Sequence, residues 1–118
     1  SDNTAPHSGA AYVFMRNGTT WTQQAYIKPS NTDTDDYFGT SVAIYGETIA
    51  VGAANESSDA TSINGNQDNN NSLYSGAIYV FARDGEEWTQ QAYIKASNAQ
   101  VETRFGNKVF LSDNIFFI

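Results

Sequence analysis

The chain contains no cysteine and only one histidine. The first absence excludes disulfides and thiolate metal sites. The second leaves His7 as the sole candidate base for a nucleophilic triad, with nothing nearby in sequence to form the rest of one. Basic residues are scarce: six Lys and Arg against thirteen Asp and Glu give a formal charge of -7. That balance argues against a nucleic-acid partner, which calls for a basic face, and against an anionic membrane surface. No apolar run approaches the roughly 20 residues of a membrane-spanning helix, so membrane insertion is not expected. The glycines fall at turns and strand ends rather than in a phosphate-binding loop. No acid falls on an expected buried strand, where its pKa would be raised for glycoside hydrolysis. A non-catalytic chain is the expectation.

What the chain does contain is a repeat. Ser8 to Lys28 reads SGAAYVFMRNGTTWTQQAYIK and Ser75 to Lys95 reads SGAIYVFARDGEEWTQQAYIK, identical at 16 of 21 positions with an offset of 67. The same offset carries Phe38-Gly39 onto Phe105-Gly106, Val42 onto Val109 and Ile44 onto Leu111. Internal similarity of this period is the mark of a repeat architecture.

One unit reads as four short strands: Ser41–Tyr45, Thr48–Ala53, Gly76–Arg83 and Glu87–Lys95. Gly46-Glu47 and Asp84-Gly85 are two-residue turns, the latter suited to a type I′ hairpin because glycine reaches positive φ cheaply. Asn17-Gly18 and Asp113-Asn114 fill the same two turns in the other copies. In Gly76–Arg83, Ile78 and Val80 face one way and Tyr79 and Phe81 the other, so the strand is apolar on both faces and needs cover on both. In Glu87–Lys95, alternation places Trp88, Ala92 and Ile94 on one face and Thr89, Gln91, Tyr93 and Lys95 on the other, as for a half-solvated outer strand. Four-stranded units that need cover on both sides point to an all-β propeller. About two blade-equivalents are present, as half, whole and half: 1–37 as the outer half of one blade, 38–97 as a complete blade with a long loop at 54–74, and 98–118 as the inner half of a further blade.

Phe38-Gly39, the following SVAIY strand, Ala50-Val51-Gly52-Ala53 and Ser75-Gly76-Ala77-Ile78-Tyr79-Val80-Phe81 resemble the FG-GAP repeat, the blade motif of integrin α-subunit propellers and of many bacterial extracellular proteins. WTQQAYIK is most similar to the bacterial branch. The resemblance spans nearly the whole chain and implies an extracellular or cell-surface β-propeller. Two departures stand out. The GAP triplet is Gly52-Ala53-Ala54, without proline. The first hairpin, which in integrin-like blades carries a calcium loop, is reduced to Gly46-Glu47, too short to surround an ion that takes six to eight oxygens.

Two other segments alternate oxygen-bearing side chains and are candidate calcium ligands: Asn31, Asp33 and Asp35, and Asn64, Asn66 and Asp68. The bland readings are a solvated acidic turn between blades and an Asn-rich insertion that bonds its own backbone. In the second copy the first segment becomes Asn98, Gln100 and Glu102. Trp21 and Trp88 share one repeat position, which favours a structural role at a blade interface over a sugar-stacking platform.

The expected function is a non-catalytic extracellular module for adhesion or protein–protein interaction. One alternative is a structural subunit that closes a ring or fibre by half-blade complementation. Another is a carbohydrate-binding propeller, calcium-assisted or not. Partners are thus a protein or glycan, together with self-association or further repeats of a longer chain.

Overall fold

In the computed structural model the described residues are 7–31, 33–60, 63–66, 69–85, 87–97, 100–112 and 115–117. They form eight antiparallel strands and, among themselves, no helix: β1 Ala11–Asn17, β2 Thr20–Ile27, β3 Phe38–Tyr45, β4 Thr48–Ala53, β5 Ala77–Asp84, β6 Glu87–Ile94, β7 Phe110–Ser112 and β8 Ile115–Phe117. Strands β3-β4-β5-β6 make one meandering sheet in chain order, flanked by a β1-β2 hairpin and a β7-β8 hairpin.

The repeat is visible in the register. β1 pairs β2 from Ala11↔Ile27 to Asn17↔Thr20, and β5 pairs β6 from Ile78↔Ile94 to Asp84↔Glu87. Both ladders slip at the same place, between Val13 and Phe14 and between Val80 and Phe81, which leaves Gln24 and Gln91 as bulge residues. A one-residue bulge turns everything beyond it to the opposite face. This corrects the simple alternation expected for β6. Trp88 pairs with Arg83 and packs with Tyr79, Phe81 and Tyr93, whereas Ile94 lies in the other cluster with Val80 and Ile78. Lys95, expected on a solvated face, is buried.

The four-stranded sheet is apolar on both faces. Against one, Phe38, Ile49, Val51, Tyr79, Phe81 and Tyr93 pack with Val13 and Ile27 of the first hairpin. Phe38 meets Tyr79 and Phe81 edge-on, with centroids 5.4 and 6.0 Å apart, a favoured aromatic geometry. Against the other face, Ala50, Ile78, Val80 and Ile94 pack with Phe105 and Val109, which lead into β7.

The sheets are joined by one contact used twice. Gly9 forms a parallel bridge with Phe38, and Gly76 does the same with Phe105. Phe38 N–H donates to Ser8 O at 2.8 Å and Phe105 N–H to Ser75 O at 2.9 Å. The backbones come so close that a Cβ on Gly9 or Gly76 would lie 1.9 or 2.1 Å from the phenylalanine carbonyl oxygen. Both glycines also hold positive φ, +81° and +86°. The segments leading in repeat a strained conformation: His7 and Tyr74, Asp35 and Glu102, and Tyr37 and Arg104 all lie between +53° and +64° in φ. A Phe-Gly pair is thus laid across the Ser-Gly pair of the sheet before it, which gives both dipeptides their place in the repeat.

Candidate functional site

The 54–74 segment leaves β4 and immediately runs through the protein interior. Ala54, Asn55, Glu56, Ser57 and Ser58 are all buried. An internal path requires partners for every polar group, and they are present. Gly76 N–H donates to Glu56 O at 2.8 Å, Ser72 N–H to Ser57 O at 2.8 Å and Tyr74 N–H to Ser57 Oγ at 3.1 Å.

At the centre of this root lies an ion pair. Lys95 Nζ is 2.9 Å from Glu56 Oε2, with side-chain exposures of 0% and 1%. Glu56 Oε1 accepts from Ser58 N–H at 3.2 Å, and Oε2 also accepts from Ser58 Oγ at 3.3 Å. Ser58 Oγ shares a short hydrogen bond with Tyr93 OH. Lys95 Nζ donates to Ser75 Oγ at 2.5 Å, and Ser75 Oγ donates to Ser58 O at 2.9 Å. Among the described residues, no buried side-chain nitrogen or oxygen lacks a partner. Burial holds the Lys95 amine below its ordinary pKa, against the opposing pull of Glu56. Burial also raises the hydroxyls of Tyr79 and Tyr93, with Glu56 adding to both shifts.

Asp36, in the link between β2 and β3, is buried beside this network. Burial pushes its carboxyl up to about 7, with further upward pushes from Glu56, Asp33 and Asp35 and an opposing pull from Lys95. The sequence places no acid on an expected buried strand; the buried acids among the described residues are Asp36 and Glu56. Both sit in loops. Ser75 and Lys95 have the residue types of a Ser–Lys nucleophilic pair. Both are sealed from solvent, and Lys95 is tied to a carboxylate, so the arrangement braces a loop and offers a substrate no approach.

The calcium candidates are held by other bonds. Asn31 Oδ1 accepts from Tyr79 OH at 2.6 Å. Asp33 Oδ1 accepts from Thr34 N–H at 2.7 Å and Oδ2 from Asn70 Nδ2 at 2.8 Å. Asp35 Oδ1 meets His7 Nδ1 at 2.7 Å. Asn64 doubles as an extra strand residue on the edge of β6: its N–H donates to Tyr93 O at 2.7 Å and its Oδ1 accepts from Tyr93 N–H at 2.9 Å. Asn66 is exposed in the same loop, and Asp68 lies outside the described residues. Among the described residues, no three His, Cys, Asp or Glu side chains gather as a metal cluster. Trp88 Nε1 donates to Gln24 Oε1 of the first hairpin at 2.8 Å, and Arg83 stacks on the Trp88 ring at 5.7 Å. It sits at the junction of two sheets.

Three loops meet on one rim. Segment 31–37 joins the long loop through Asn70 to Asp33 and through Asn55 N–H to Asp36 O at 3.3 Å. Segment 100–104 joins it through Glu102 N–H to Leu73 O at 2.7 Å and Arg104 Nη1 to Asn55 Oδ1 at 2.8 Å. Asn69, Asn71 and Asp59 bond among themselves across the loop. This braced rim exposes Tyr37, Ile63, Leu73 and Val101.

A Phe-Gly pair is thus seated on a Ser-Gly pair twice, at one offset, among strands that all pair antiparallel. A family profile described as the FG-GAP repeat matches residues 21–81. The chain belongs to the FG-GAP repeat family. No curated protein and no solved structure matches it. FG-GAP membership accounts for the two- and four-stranded antiparallel sheets as parts of propeller blades.

Proposed function

We propose that this FG-GAP chain is a non-catalytic extracellular interaction module, and that its binding surface is the rim formed by loops 31–37, 54–74 and 100–104. The three sheets are read as successive blades, divided at 1–37, 38–97 and 98–118. The observation that carries the binding reading is the bracing of the long loop. Its root is fixed by the buried Glu56–Lys95 pair and its flanks are tied to both neighbouring links. Ordering more than fifteen residues of polar loop costs conformational entropy, and long structured loops in compact folds commonly serve binding. Apolar Ile63, Leu73 and Val101 within an Asn- and Asp-rich border match the usual pattern of a contact patch with a polar rim.

The test is adhesion of the immobilised chain to extracellular-matrix proteins, with a glycan array run in parallel with and without chelator. Leu73→Asp and Val101→Asp change exposed side chains and should leave the melting temperature within a few degrees of the wild type. They should abolish capture of a protein ligand. Capture that is indifferent to both substitutions would remove the rim from consideration, and glycan binding alone would favour the carbohydrate reading.

A further inference from the structure

The tip of the long loop is clamped to the outer edge of β6 by Asn64. Its N–H donates to Tyr93 O at 2.7 Å, and its Oδ1 accepts from Tyr93 N–H at 2.9 Å. The side-chain carbonyl thus stands in for the backbone carbonyl of an antiparallel partner strand. The root of the loop is fixed elsewhere, by the buried Glu56–Lys95 pair, so tip and root are held separately. Asn64 is exposed and holds a left-handed φ of +57°, a conformation that asparagine tolerates better than most residues. Glycine follows it. An Asn-Gly pair carries chemistry of its own. Glycine has no Cβ, so its backbone nitrogen reaches the preceding side-chain amide carbon with least obstruction, and the five-membered closure is intramolecular.

We propose that Asn64-Gly65 is a self-modification site whose access is set by this clamp. In the docked tip, Oδ1 is held toward Tyr93, and Cγ is directed with it at the edge of β6. Lifting the tip breaks both bonds and lets Cγ turn back onto the Gly65 nitrogen. That nitrogen, its proton removed by hydroxide, forms the N–Cγ bond. The side-chain amide nitrogen leaves Cγ as ammonia, taking up a proton from water. Water then opens the resulting succinimide, at Cγ to give aspartate or at the backbone carbonyl to give isoaspartate. The sum is asparagine plus water to aspartate or isoaspartate plus ammonia, with no change of oxidation state. The two products treat the clamp differently. Aspartate keeps the chain path and offers an oxygen where Oδ1 stood. In isoaspartate the chain leaves through Cγ, the atom that docking directs at β6. Docking and the path to Gly65 then compete, and the tip is released. The change is one-way and accumulates with the time the tip spends undocked. Ile63, 65% exposed next to Asn64, moves with the tip. That consequence for binding rests on the rim reading, and the modification itself does not.

The test compares two readouts of one opening equilibrium in the 118-residue chain. Isoaspartate at position 64 is followed at mildly alkaline pH, in the folded chain and in urea, by peptide mapping. Fragment ions separate it from Asn17-Gly18, the other Asn-Gly pair. Amide exchange of Asn64 and Tyr93 is measured by NMR on the same chain. Local opening governs both, so the factor by which folding slows the modification should match the protection of these two amides to within an order of magnitude. Gly65→Ala should slow the modification several-fold in urea, where the fold plays no part. Chain enriched in isoaspartate should lose protection at Tyr93 while the Val51↔Tyr79 ladder stays protected. No isoaspartate at position 64 in a folded chain whose Asn64 and Tyr93 amides exchange would overturn the proposal. So would equal rates in the folded and denatured chains, or a modified chain with Tyr93 still protected. These readouts involve no ligand, so they stand or fall apart from the rim as a binding surface.

Discussion

Replacing Lys95 with methionine keeps the length of the side chain and removes its charge. Glu56 would then remain in the interior with Ser58 N–H and Ser58 Oγ still donating to it. Breaking a buried ion pair from one side typically costs about 3–5 kcal/mol, because the surviving charge loses its compensation. Against a total stability of about 5–15 kcal/mol for a domain of this kind, that is a large fraction. With about 4–8 °C per kcal/mol for a small domain, Lys95→Met should lower the melting temperature by about 12–40 °C in thermal circular dichroism or calorimetry. Two controls isolate the cause. Lys28 occupies the same repeat position, is only half-buried, and meets Ser8 Oγ at 2.7 Å without a carboxylate among the described residues. Lys28→Met should cost under about 1 kcal/mol. The double variant Lys95→Met/Glu56→Leu removes both charges and should recover about 2 kcal/mol relative to Lys95→Met alone. A loss below about 1 kcal/mol for Lys95→Met, or strictly additive effects in the double variant, would refute a structural role for the pair.

Asp36 predicts a pH dependence of defined sign. Its native carboxyl is raised from 3.8 to about 7, so between those values the folded chain holds more protons than the unfolded one. Its contribution is full below about pH 4 and is lost as pH rises through about 7, a swing of at most about 4 kcal/mol. Asp36→Asn should flatten this slope and melt above the wild type at pH 8. Equal melting temperatures at pH 8 would count against the burial argument. Gly76→Ala should cost about 3 kcal/mol or more, since its Cβ would meet Phe105 backbone atoms at 2.1 and 2.3 Å at a positive φ. Gly85→Ala has the positive φ but open space around its Cβ and should cost only about 1–2 kcal/mol. Similar losses in urea titrations of both variants would remove steric approach as the cause. Because the oxygens of Asn31, Asp33, Asp35 and Asn64 already accept or share hydrogen bonds, millimolar calcium should leave the melting temperature unchanged. A site at a hundred times its Kd would add about 2.7 kcal/mol and would show as a clear upward shift.

Strand positions and turns were legible because they depend on local chemistry. Asn17-Gly18 and Asp84-Gly85 close hairpins wherever flanking residues alternate, and the observed β1, β2, β5 and β6 lie on either side of them. The position of β4 was equally plain from Thr48–Ala53. Side-chain direction in β6 was not, because the bulge at Gln91 has no compositional mark and reverses the expected face of Trp88. The polar root of the long loop was also hidden. Glu56 lies in a run of Asn and Ser that looks solvated, and Lys95 lies at the end of an amphipathic strand. The available signal was the recurrence of Ser8 and Lys28 as Ser75 and Lys95, a serine and a lysine kept at both ends of the repeat while Met15 gives way to Ala82. In both copies the lysine amine donates to that serine. The close approach of Phe-Gly to Ser-Gly depends on pairing between segments 29 residues apart in sequence, which no local pattern encodes.

The central claim is that one blade seats on the next by laying Phe-Gly over Ser-Gly at every repeat. Solution NMR of the labelled chain tests it directly through nuclear Overhauser effects between the Hα protons of Gly9 and the backbone of Phe38, and between those of Gly76 and the backbone of Phe105. Both sets are expected, with cross-strand contacts between Val51 and Tyr79 in the same spectra. Strong Val51–Tyr79 contacts without either glycine contact would mean that the sheets form but do not stack in this way, and the account would fall.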